Sequence, residues 1–282
     1  MDTYRLVLST RGDMKHRALL VGLGAIGWRW SQRDAPRSNC AANETHYHTM
    51  KHHPLIDFAG GVDVDDAARR EFQQATAALV YPDLATALSE AKPAIVIIAT
   101  PPETHHRLVL DAASCPSVKG ILCEKPLAPT IVECQGMVGA CNAVHVPLVV
   151  GHQRRYEQRH RLLRAFLKSE ALGKPVAGAC YFSGTYLNNG THAADVMRFL
   201  LGDGPWSIYQ KAGEVFNAWV STEHGAITLS SRGNLEPGYM KAMYDNLLEC
   251  MDTGHTPECS GEDGLEAVRL ALAAEEAHEA AA

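Results

Sequence analysis

Three groups of residues in this 282-residue chain have types and spacings that suit chemistry. The first is Gly22-Leu23-Gly24-Ala25-Ile26-Gly27, which closes the apolar run at residues 18–21. Glycines at the first, third and sixth positions, after a strand and before a helix, form a dinucleotide fingerprint. Gly22 permits a tight turn. Gly24, with Ala25 and Ile26 beside it, lets the backbone approach a pyrophosphate, and Gly27 lets the next helix lie against the strand. The pyrophosphate would rest on the free N–H groups of that helix. The second group is Cys123-Glu124-Lys125-Pro126, which follows another apolar segment. Lys125 there is either a solvated charge or a proton carrier whose pKa is lowered by burial or by nearby positive charge. The third is His192, at the start of a helix, with Asp195 three residues on and on the same face. A carboxylate so placed would orient the ring and favour its protonated form. The alternative for His192 is a capping or packed histidine.

Other residues fall where a ligand would lie. Asp63 ends the second expected strand, where a carboxylate accepts hydrogen bonds from adenosine ribose hydroxyls and repels a 2′-phosphate. NAD is therefore expected rather than NADP, unless Asp63 is only a surface turn residue. The acidic residue commonly lies about 20 residues beyond the glycines. Asp63 comes much later, so residues 31–54 read as an insertion. Thr100, Pro101 and His105 follow the most hydrophobic strand, at the carboxyl edge where open α/β sheets bind ligands. His46, His48, His52 and His53 show helical spacing but no third metal ligand, so they read as solvated, and no metal is expected. Arg154, Arg155, Arg159, Arg161 and Arg164 form a basic face. That face is either solvated or a site for a substrate phosphate or carboxylate, with Gln153 and Arg154 as its nearest candidates.

The elements that must position these residues can be read from periodicity. Strands are expected at 17–21, 55–62, 94–100, 119–123 and 144–151, with helices at 65–75, 83–90, 103–114 and 130–142. Apolar strands alternating with helices imply a parallel sheet covered on both faces. This α/β, Rossmann-type domain is expected to span residues 14–151. Residues 152–282 group their strands and helices differently. Helices are expected at 155–169, 191–201, 238–251 and 262–277, with strands at 175–187 and within 206–229. That pattern predicts a smaller α+β domain with a mostly antiparallel, shortened sheet.

Composition excludes several functions. Lys and Arg total 26 against 32 Asp and Glu, a formal charge of −6, which disfavours nucleic-acid binding. No apolar run reaches membrane-spanning length. Residues 1–15 lack a signal-peptide core and read as a loose leader, so a cytoplasmic protein is expected. Eight cysteines without a CxxC pair read as reduced thiols.

The ordered set VGLGAIG, GGVDVD, IATPPETHH, CEKPLA and NGTHAADVMRFLLGD, between residues 17 and 203, resembles the Gfo/Idh/MocA family of NAD(P)-dependent oxidoreductases. The resemblance implies oxidation or reduction of a sugar, cyclitol or related polyhydroxy small molecule. It implies that Thr100, Pro101, His105, Glu124 and Lys125 line the cofactor, and that Lys125 also meets substrate. It implies a frequently cis Pro126 and a general base at His192. The aspartate of the family's D-x-x-x-H pattern falls on Asn188, which can hydrogen-bond His192 or substrate but cannot stabilise an imidazolium by charge. Lys125, His192 and Asn188 are the expected catalytic set, with Gln153, Arg154 and Asp195 added for substrate. A homo-oligomer, dimer or tetramer, is expected through the second domain. Within the family, NAD-recycling epimerases or glycosidases and non-catalytic nucleotide-binding regulators are the alternatives.

Overall fold

The computed structural model describes residues 15–32, 44–212, 216–230 and 235–281. Residues 1–14 of the expected leader, and Cys40, lie outside the described residues. The first half runs β1 (His16–Val21), α1 (His46–His52), β2 (Ile56–Val62), α2 (Asp66–Thr76), β3 (Val80–Tyr81), α3 (Leu84–Ala91), β4 (Ile95–Ile98), α4 (Pro102–Ser114), β5 (Gly120–Cys123), α5 (Ile131–Ala143) and β6 (Leu148–Val150). The six strands form one parallel sheet in the order β3-β2-β1-β4-β5-β6. The order reverses between β1 and β4, the switch point where doubly wound sheets bind ligands.

Local chemistry sets these boundaries. All four residues of β4 are fully buried, as a central parallel strand with both faces covered requires. Asp65 and Asp83 cap α2 and α3, and Thr130 with Glu133 forms a capping box on α5. Pro102 opens α4, where its missing N–H costs nothing.

One expectation fails at the first helix. No continuous helix follows Gly27. A short turn leads to a 3-10 segment at Arg29–Gln32. The Ile26 and Gly27 carbonyls instead accept N–H groups from His46 and Tyr47, at 3.1 and 2.9 Å. Helix α1 thus takes over the ladder that residues 30 and 31 would have continued. This interruption explains why Asp63 lies so far along the sequence from the glycines.

The second half contains α6 (Gln158–Lys168), β7 (Pro175–Phe182), α7 (Thr191–Leu201), β8 (Trp206–Gln210), β9 (Phe216–Thr222), β10 (Gly225–Ser230), α8 (Tyr239–Thr253) and α9 (Gly261–Ala281). Its sheet has the order β10-β9-β7-β8. The β10–β9 and β9–β7 pairs are antiparallel and β7–β8 is parallel. The inward side chains Cys180, Phe182, Ala218 and Val220 pack on Ala193, Met197 and Leu200 of α7.

The two cores do not divide the chain at residue 151. Tyr244 and Leu247 of α8 are fully buried in the first core. A Cβ on Gly120 would stand 2.6 Å from Met251 Sδ and 3.0 Å from Leu247 Cδ1, so the side chains of α8 pack directly over β5 there. The Rossmann core therefore recruits residues from 235 onward. Helix α9 serves both cores, placing Val268 in the first and Ala271 in the second.

Candidate active site

The glycine turn sits at the carboxyl end of β1. Gly22 has φ +98°, and a Cβ there would stand 2.6 Å from the Ala99 carbonyl oxygen. A Cβ on Gly27 would strike the Gly22 carbonyl. A Cβ on Gly24 would meet nothing within 4 Å. A tight turn at Gly22, close packing of the turn on itself at Gly27 and open approach at Gly24 are thus divided among the three glycines, as suits a pyrophosphate. Ala25 and Ile26 follow in the same turn. Asp63, at the end of β2, accepts the Leu23 N–H at 2.8 Å and the Asp65 N–H at 3.0 Å. Its carboxylate therefore stands beside the glycine turn, where a ribose would lie, and the residues present fit a dinucleotide.

Thr100 and Pro101 lead from β4 into α4 on the same edge. Thr104 donates its hydroxyl to Thr100 Oγ1 at 2.7 Å. His105 does not face a ligand. It is fully buried, with Nε2 2.9 Å from Thr100 O and Nδ1 3.1 Å from the carbonyl oxygens of Pro126 and Leu127. Both ring nitrogens are spent on carbonyls, so His105 ties the turns after β4 and β5 together rather than reaching a cofactor.

The Lys125–Pro126 peptide is cis. Glu124 and Lys125 leave β5 toward opposite neighbours. Glu124 Oε1 lies 2.9 Å from His46 Nε2, and His46 Nδ1 lies 3.0 Å from the Tyr244 hydroxyl. A Cβ on Gly151 would come within 3.0 Å of the Glu124 carboxyl carbon, so glycine there leaves space for the carboxylate. Burial pushes the Glu124 pKa up, but the His46 hydrogen bond and the His46 and Lys125 charges outweigh it and hold it below the ordinary value. His46 is fully buried and His53 nearly so, the latter bonded to Asp245 at 3.0 Å. The solvated reading of the cluster therefore fails for these two. Helix α1 turns them inward against α8, while His48 and His52 do not share their burial. Neither His46 nor Tyr244 could be found from the sequence, because their partners lie 78 and 198 residues apart from His46.

Lys125 Nζ donates to Asn188 Oδ1 at 2.5 Å and to Asn188 O at 3.4 Å. Burial lowers the Lys125 pKa, Glu124 opposes this, and Arg154 adds to it, for a net fall. Asn188 lies in a single π-turn, Tyr186–Gly190, that opens α7. Its side-chain oxygen is committed to Lys125. His192, one step into α7, is buried and its pKa is driven well below 6.5 by burial, then by Lys125, Arg154 and His152. The expected protonated His192 is thus corrected: a desolvated ring among cations stays neutral.

Asp195 does not orient His192. Its Oδ1 accepts from Arg155 Nε at 2.8 Å, and its Oδ2 stands 3.9 Å from His152 Nδ1. Burial raises its pKa to about 6 despite Arg155. His152, absent from the expected set, packs edge-to-face on His192 with ring centroids 5.5 Å apart. The basic face also differs from its solvated reading. Arg155 is buried and bonds Asp195, Asp263 and Glu258 O. Arg161 pairs with Glu258, Arg159 pairs with Glu157, and Arg164 stacks 4.4 Å from the Phe199 ring centroid. Gln153 and Arg154 are half-buried in the turn after β6, with the Arg154 guanidinium 4.0 Å from the Phe216 ring centroid.

Among the described residues, no three His, Cys, Asp or Glu side chains gather as a metal group, and no helix is long and apolar enough to cross a membrane. The seven described cysteines are free thiols.

Residues 17–152 match the family described as an oxidoreductase family with an NAD-binding Rossmann fold, GFO_IDH_MocA. A D-apiose dehydrogenase from Rhizobium rhizogenes is 31% identical over 140 residues, 44% of this chain and 40% of that protein. An inositol 2-dehydrogenase from Pseudomonas fluorescens is 29% identical over 154 residues, 50% of this chain and 45% of that protein. The matched stretches thus span less than half of these relatives. An Agrobacterium radiobacter oxidoreductase, solved with NAD+, L-tartaric acid and magnesium, superposes with a TM-score of 0.75 at 18% identity, covering 93% of this chain and 96% of that one. At that identity the likeness speaks for the fold.

Proposed function

We propose, for a chain whose residues 17–152 match the Gfo/Idh/MocA oxidoreductase family, that the cleft moves a hydride between NAD and a secondary alcohol or ketone of a sugar, cyclitol or related polyhydroxy compound. The observation that carries this reading is the Lys125–Asn188 contact, made across the seam between the two sheets and beside the neutral His192. Gly22, Gly24, Gly27 and Asp63 would hold the dinucleotide, and the Asp63 carboxylate favours NAD over NADP. NAD supplies the hydride acceptor or donor.

The chain's own residues then handle one proton. In the oxidative direction the reacting hydroxyl oxygen lies against Lys125 Nζ. A lysine whose pKa is lowered by burial can take that proton as the carbonyl forms. His192 is neutral, so it orients the hydroxyl by hydrogen bonding without adding a charge. Asn188 aims Lys125. Burial of the surroundings strengthens each of these contacts.

A homo-oligomer fits the outer face of the second sheet. Tyr181, Tyr209 and Trp219 are 38%, 47% and 40% exposed on three adjacent strands, and Tyr181 stacks on Tyr209 at 5.5 Å. A second copy would cover this apolar face.

Replacing Lys125 by methionine tests the catalytic reading. Turnover should fall by about 10²–10⁴-fold, the usual worth of a positioned proton carrier, while NAD affinity in a fluorescence titration stays within about threefold. Steady NADH accumulation separates net oxidation from cofactor recycling. A variant with undiminished turnover would exclude the role.

A further inference from the structure

We infer that the substrate carries an anionic oxygen group, carboxylate or phosphate, which is received by Arg154 and His152. The inference names the substrate class of the site just described and rests on that reading.

The observation behind it is a set of buried side-chain nitrogens that have no hydrogen-bond partner among the described residues. His152 is 1% exposed, and neither ring nitrogen has a hydrogen-bond partner. The nearby carboxylate oxygen, Asp195 Oδ2, is 3.9 Å from Nδ1, beyond bonding distance. Arg154 Nε and Nη1 are also buried without partners. Buried polar groups are normally paired, and an unpaired buried guanidinium is costly. The face of the Arg154 guanidinium is already used by Phe216. Its N–H edge is what remains for a ligand.

Charge balance points the same way. Arg155 and Arg198 are met by Asp195 and Asp263. Lys125 has the adjacent Glu124. Among the described residues Arg154 forms no ion pair, and Asp195 and Glu157 act on it only through space. The cleft therefore holds one positive charge that no neighbouring carboxylate neutralises at contact. A hydroxyl could accept one of these N–H groups but would leave the charge in place. An anionic oxygen group accepts the N–H groups and cancels the charge. Lys125 and His192 stay free for the reacting carbon's oxygen, so the anion and the reacting centre occupy separate parts of one ligand.

The test compares hexonates and hexose 6-phosphates with matched hexitols and hexoses. Binding is measured by calorimetry on NADH-loaded protein, and turnover with NAD. At least one anion should bind about 100-fold more tightly than its neutral match, in line with a charge-assisted pair. Whether carboxylate or phosphate gives the preference identifies the group. Arg154→Gln should bring anion and neutral affinities within about threefold, and Arg154→Lys should keep part of the preference. Melting curves show whether each variant is folded. Neutral ligands that bind as well as every anion, or anion binding that survives Arg154→Gln, would overturn the inference. Neutral turnover without anion preference leaves the dehydrogenase reading standing and removes this one. Arg154-dependent anion binding without any turnover does the reverse.

Discussion

Lys125 Nζ and Asn188 Oδ1 meet at 2.5 Å, joining the carboxyl end of β5 to the π-turn that opens α7. The partner is an amide oxygen, so the ammonium gains a hydrogen bond without gaining an opposite charge. Glu124 supplies the opposing charge from the neighbouring position, and burial still wins at Lys125. The identity of residue 188 therefore tunes how readily Lys125 gives up its proton.

Asn188→Asp should raise the Lys125 pKa, because a carboxylate in contact favours the ammonium. If deprotonated Lys125 is the base, the acidic limb of the oxidation rate profile moves to higher pH. Asn188→Ala should lower kcat without moving that limb upward. A pH–rate profile of the aspartate variant that overlays the parent would contradict the assignment.

The glycine turn, the parallel sheet and the Lys125 strand end were legible in the sequence because each rests on local pattern. The helix after Gly27 was not, because His46 and Tyr47 complete its hydrogen bonds from beyond an interruption. The His46–Glu124 pair was hidden for the same reason. Asp195 was misread because spacing along a helix says which residues share a face, not which of two basic neighbours a carboxylate meets. Arg155, from another element, outcompetes His192 for it. The return of α8 to the first core after the second sheet is built has no local sequence signal, because it rests on contacts between distant segments.

Glycines 22 and 24 should fail in different ways. Gly22→Ala places a Cβ against the Ala99 carbonyl at positive φ, and should cost about 1–3 kcal/mol of stability. Gly24→Val fills open space, so its melting temperature should change little while NAD affinity drops steeply. Thermal melts and NAD titrations of both variants check this. A stable Gly24→Val that binds NAD normally would move the pyrophosphate elsewhere.

Replacing Trp219 by lysine tests the oligomer. The side chain is on the outer face of β9, so the fold should tolerate the change. Light scattering of the parent should give a multiple of the 30.6 kDa chain mass, and the variant should shift toward one copy. A parent that scatters as one chain at working concentration excludes the assembly.

Acid stability should report the buried charges around His192. His152 has a folded pKa of about 3 against 6.5. Between those values the unfolded chain binds a proton that the native one refuses, so stability rises with pH there. The contribution is present above pH 6.5 and lost as pH falls toward 3, and His192 acts in the same direction. Asp195 opposes them. Its folded pKa is about 6 against 3.8, so its contribution is present below 3.8 and lost as pH rises through 6. Two histidines act against one aspartate over the shared window, so the net slope should be positive, at most about 1.4 kcal/mol per pH unit for each unopposed group. Denaturant midpoints from pH 4 to 7 should therefore fall on acidification. His152→Asn should flatten that dependence, and Asp195→Asn should steepen it even as it lowers overall stability by breaking the Arg155 pair. A His152→Asn curve parallel to the parent would mean that this imidazole is not held neutral by the fold.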